Sequence, residues 1–131
     1  MKAVLFLVGA IALSAPGSAQ GPDWSQATKI DIALSSFRYE PRTVTLEHGR
    51  PYALHFVNSA TGGHDFAAKR FFAAAEIAPD DRGRIKDGRI EFGGGEAADV
   101  RLVAPAAGRY EVHCSHFMHS TFGMKGEIVV Q

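Results

Sequence analysis

Residues 110–131 read YEVHCSHFMHSTFGMKGEIVVQ. The chain has one cysteine, six histidines and three methionines, and the short run 113–124 holds Cys114, His113, His116, His119, Met118 and Met124. Strand alternation along 109–114 puts Tyr110, Val112 and Cys114 on one face and Glu111 and His113 on the other. Tyr110 and Val112 are the apolar pair, so Cys114 points inward at the end of a buried strand. The same test on 124–130 groups Met124 with Gly126, Ile128 and Val130. Two sulfurs therefore stand at the mouth of one core, joined by the loop SHFMHSTFG, residues 115–123, with His119 five residues from each.

A loop that leaves and re-enters one end of a β-structure can return the imidazole at its apex, and Gly123 eases that return. A further ligand has to come from elsewhere, and His64 in NSATGGHDF is the candidate, after a strand ending at Asn58 and a glycine-containing turn. Burial of a free thiol as a small hydrophobe would explain Cys114 but not His119 and Met124 at these positions. His116 could replace His119, although one residue past Cys114 the chain has barely turned. His116 and Met118 read as rim residues of the loop, with a second, transient landing place for metal as the functional alternative. Phe117 and Phe122 are expected to shield the site from water. His113, on the face opposite Cys114, reads as solvent-side or packed beneath the neighbouring strand, and His48 and His55 have no metal-like neighbours in sequence and read as ordinary residues.

Outward from this loop the chain is a series of short β-rich runs: 30–34, 43–47, 52–58, 89–92, 98–104, 109–114 and 126–131, separated by Gly, Pro or Asn. Seven such runs predict an all-β antiparallel sandwich or barrel. The alanine-rich stretch around residues 67–78, with Phe71, Phe72, Ala75 and Ile77, predicts one short helical insertion stopped by Pro79. Residues 1–19 have Lys2, an apolar run from Ala3 to Leu13 and small residues leading to Ala19. That is the layout of a secretory signal sequence, too short in its apolar run to span a bilayer. Residues 20–28 read as a flexible lead-in and 29–131 as one domain.

Fourteen Lys and Arg balance fourteen Asp and Glu in interspersed order, and there is no basic stripe, so nucleic acid is not an expected partner. Asp80 with Asp81 and Glu91 with Glu96 read as charged turns rather than acid–base pairs. Ser115 and Ser120 lie among histidines, but a catalytic triad would leave the cysteine and methionine unexplained.

Two imidazoles, a thiolate and a weak thioether suit copper in both oxidation states: sulfur favours Cu(I), while imidazole also holds Cu(II). Zinc would accept two His and one Cys but has little use for a thioether. The C-x4-H-x4-M run leading into KGEIVV, with GGHDF upstream, resembles the cupredoxin family of small blue-copper proteins over about residues 28–131. The loop spacing is similar to the rusticyanin type. The resemblance implies a Greek-key β-sandwich with one type 1 copper near one end. It makes His64 the first histidine ligand, Cys114 the thiolate, His119 the second histidine and Met124 the axial ligand, with the electron leaving by the His119 edge. Asp65 departs from the pattern, in which Asn often follows the first histidine. It can accept hydrogen bonds from loop amides, and its charge would lower the reduction potential. The expected protein is a monomeric periplasmic carrier of single electrons between redox partners. It is not an enzyme and has no stable membrane insertion after signal cleavage. The alternative is a periplasmic copper carrier or sequestering protein that serves other copper-handling proteins.

Overall fold

The computed structural model describes residues 10–11 and 21–131, so the expected signal segment lies outside the described residues apart from Ala10 and Ile11. Among the described residues ten strands form two sheets: β1 (Thr28–Ser35), β2 (Arg38–Glu40), β3 (Thr43–Leu46), β4 (Pro51–Asn58), β5 (His64–Ala67), β6 (Glu76–Ile77), β7 (Arg89–Phe92), β8 (Ala97–Val103), β9 (Gly108–His113) and β10 (Lys125–Val130). One sheet runs β2-β1-β4-β8-β6 and the other β3-β10-β9-β5-β7. The expected all-β sandwich is present, but it is not wholly antiparallel, because β1 runs parallel to β4 and β10 parallel to β3.

Alternation accounts for the core. Ile32 and Leu34 of β1, Tyr52, Leu54 and Phe56 of β4, and Val100 and Leu102 of β8 face inward from one sheet. Val44 and Leu46, Ile90 and Phe92, Tyr110 and Val112, and Ile128 and Val130 face inward from the other. All of β5 is buried, which is why His64–Ala67 shows no alternation in the sequence. Phe66 meets Tyr39, Phe56 and Phe72 edge-on at ring separations of 5.4, 4.9 and 6.1 Å, so aromatic packing fixes β5 immediately after His64.

The helical insertion is shorter than expected. Helix α1 spans Lys69–Ala74 and buries Phe71 and Phe72. It ends at Ala74, well short of Pro79, because Glu76 and Ile77 pair instead with Val103 and Leu102 at the sheet edge, burying Ile77. A sheet partner outweighs the modest helix preference of the alanines. Pro79 then opens a 3-10 helix, Pro79–Arg84. The 20–28 lead-in carries a 3-10 turn, Trp24–Gln26, capped by Asp23, with the Arg101 guanidinium 6.0 Å above the Trp24 ring.

Candidate metal centre

β9 and β10 pair in the register His113↔Lys125, so the chain leaves and re-enters the sheet at one place. The Cys114 N–H donates to the Met124 carbonyl at 3.1 Å and the Met124 N–H to the His119 carbonyl at 3.0 Å, which folds the loop apex back over the strand ends. Tight turns between them are closed by the N–H groups of His119, Phe122 and Gly123 donating to the carbonyls of His116, Met118 and Ser120. Met118 takes a positive φ of 65° within this loop, a backbone state that bulky residues rarely adopt. β5 lies between β9 and β7 and delivers His64 to the same end.

His64 Nδ1 lies 3.1 Å from His119 Nδ1, which lies 3.4 Å from Cys114 Sγ, and the three donor atoms all fall within 4.8 Å of one another. His64 is 4% exposed, Cys114 1% and Met124 0%, while His119 is half-buried. Two imidazole nitrogens and a thiol gathered this closely are poorly served by hydrogen bonds alone. Around a soft or borderline cation the same atoms are well matched. Burial pushes the Cys114 thiol up, against the backbone N–H groups of Asp65 and His116, so the thiolate depends on a bound cation. Burial, then the neighbouring His119 and His116, hold His64 below the ordinary imidazole value, which leaves it neutral with a lone pair to give.

The surroundings hold these donors still. Asp65, fully buried, accepts the Ser115 N–H at 2.8 Å and the Ser115 hydroxyl, tying β5 to the loop as its position beside His64 predicts. Its own N–H faces Cys114 Sγ at 3.5 Å, and its carbonyl accepts the buried Tyr39 hydroxyl at 2.5 Å. Asn58 is fully buried. Its amide donates to the carbonyls of Gly62 and Gly93 at 2.9 and 3.0 Å, and its oxygen accepts from the Ala60 N–H at 3.1 Å, which fixes the turn that carries His64. Gly94 is obligatory against that turn, since a Cβ there would lie 2.1 Å from the Thr61 carbonyl oxygen.

The expected aromatic shield differs from the observed one. Phe117 is 90% exposed and Phe122 62%, so neither caps the site by burial. The ring against the site is Phe37, 41% exposed at the tip of the β1–β2 turn with a positive φ of 58°; it meets His119 edge-on at 5.0 Å and Phe122 at 5.3 Å. Nothing in the sequence marked this turn or where its tip would land; Tyr39 and Asn58 likewise gave no signal of their roles. His55 pairs with Asp99 at 2.6 Å and His48 with the Pro105 carbonyl at 2.8 Å, ordinary partners away from the metal end. Asp81 is occupied by Arg101, accepting from its backbone and its guanidinium at 2.9 Å.

This two-sheet sandwich with a thiol, two imidazoles and a thioether at one end defines a mononuclear copper protein. A family profile described as copper binding proteins, plastocyanin/azurin family, matches residues 26–131, and the chain belongs to that family. The His64, Cys114, His119 and Met124 arrangement fits a single type 1 copper site. Solved structures of similar fold include the dithionite-reduced auracyanin of the photosynthetic bacterium Roseiflexus castenholzii, 21% identical with a TM-score of 0.60 over 80% of this chain and 98% of that one. Auracyanin A, a "blue" copper protein from Chloroflexus aurantiacus, is 19% identical with a TM-score of 0.58 over 80% and 99%. A multi-copper oxidase from Pseudomonas thermotolerans is 23% identical with a TM-score of 0.64 over 92% of this chain and 33% of its own length. No curated protein sequence matches the chain.

Proposed function

We propose that this protein carries single electrons between redox partners in an exported, periplasmic compartment, using one copper ion that His64, Cys114, His119 and Met124 would hold. The observation that carries this reading is the convergence of His64 at the start of β5, Cys114 just past β9 and His119 in the loop, with their donor atoms within 4.8 Å of one another. Copper bound there supplies a one-electron couple. The protein's part is to hold its donors so that little moves when the charge changes: Asp65 with Ser115, Asn58 and the Met124–His119 backbone bond all resist displacement. His119, half-buried against the Phe37 edge, gives the electron a short way out. Carriage is favoured over catalysis because the buried Cys114, His64 and Met124 keep the metal from contact with a substrate. The export reading rests on the first nineteen residues.

Copper carriage is the second reading, favoured by the His116 ring 5.3 Å from His119. Voltammetry of the copper-loaded mature chain, followed by challenge with a chelator in both oxidation states, separates the two. An electron carrier gives a reversible one-electron wave and keeps its copper in both states. Rapid loss of Cu(I) to the chelator contradicts that reading and supports copper carriage.

A further inference from the structure

Beside the buried donors lies a second group that the type 1 site does not use. His116 Nε2 and Glu91 Oε1 are 2.6 Å apart, and one oxygen of Asp65 joins them within 4.8 Å. Asp65 is fully buried and engaged with Ser115, so the two outward-facing donors are Glu91 on β7 and His116 on the ligand loop. Exposure falls stepwise inward: the Glu91 side chain is 56% exposed and the His116 side chain 31%, whereas the residues His64 and Cys114 are 4% and 1%. The His116 ring stands 5.3 Å from the His119 ring and 6.5 Å from that of His64, tilted about equally to both. Gly63 lies against this pair, and a Cβ there would sit 3.3 Å from His116 Cε1, close enough to push the ring by a few tenths of an ångström.

We infer that Glu91 and His116 form the landing pair through which copper reaches the buried donor set; the inference rests on the copper reading above. An ion leaving water for a buried site needs each new donor in reach before the last is released. Carboxylate and imidazole are suitable first ligands for Cu(II), and imidazole serves Cu(I) as well. The Cys114 thiol is closed to direct approach, and the exposed pair is one ring away from both histidines that would receive the ion. A hydrogen bond at the protein surface opens to water without disturbing the core, so the pair can exchange its partner for a cation.

Stopped-flow mixing of the copper-free mature chain with excess Cu(II), at fixed ionic strength, reads the rise of the thiolate-to-copper band. Each rate constant is taken from that protein's own amplitude, so a change in final occupancy does not enter. His116→Gln and Glu91→Gln should each slow uptake by roughly tenfold or more. Asp99→Asn, which breaks the distant surface pair with His55, should keep the wild-type rate. Wild-type rates in both landing-pair variants would overturn the entry route while leaving the copper site intact. Slowing in Glu91→Gln alone would also overturn it, reducing Glu91 to general attraction of cations. A wild-type chain that develops no band would instead remove the copper reading beneath it.

Discussion

Asp65 follows the histidine that opens β5 and is fully buried, with its carboxylate bound by Ser115 and its N–H facing Cys114 Sγ. A fixed negative charge this close to the copper position favours the more positive oxidised state. At an effective dielectric of about 20, a unit charge about 6 Å away is worth about 2–3 kcal/mol. Asp65→Asn preserves shape and can still accept the Ser115 N–H, so the site should survive. Its reduction potential should rise by roughly 100 mV, the one-electron equivalent of that energy. Protein-film voltammetry on the two proteins measures this, and an unchanged or lower potential would contradict the electrostatic account. At this scale much was legible: one cysteine, a histidine and a methionine at equal loop spacings, and an acid beside His64, are chemistry that composition rarely gathers by accident. Phe37 was not legible, because nothing local says that a turn residue from the other sheet will meet His119.

Among the elements, the turn between β4 and β5 governs the position of His64, and Asn58 governs the turn. Removing its side chain leaves the Gly62 and Gly93 carbonyls and the Ala60 N–H without their buried partner. Asn58→Ala should therefore destabilise the copper-free domain by about 2–3 kcal/mol, at 1–3 kcal/mol for each buried group left unsatisfied and with water recovering part of the loss. Urea unfolding at constant slope measures it, and a loss under about 0.5 kcal/mol would mean that Asn58 is not what holds the turn. The long strands were legible from alternation, while β2, β5 and β6 were not. β2 and β6 are three and two residues long, too short to show a period, and β5 is buried throughout. Helix α1 is shorter than its sequence predicts because Glu76 and Ile77 find their reason for leaving it only in β8.

For the whole molecule, two parallel pairings join segments far apart in the chain: β1 with β4, and β3 with β10. Short strands and turn signals predict hairpins and so favour an antiparallel expectation; the crossovers that build parallel neighbours leave no local mark. The class survived that error because both sheets still present alternating apolar faces to one core. The sandwich brings β5, β9 and β10 together at one end, and there the central claim can be tested most directly. The measurement is a visible absorption titration of residues 20–131 with Cu(II), run beside Cys114→Ser. A strong blue band that saturates at one equivalent and is absent from the variant is the predicted result. Copper binding without that band, or a band that persists in Cys114→Ser, would contradict the thiolate–copper site.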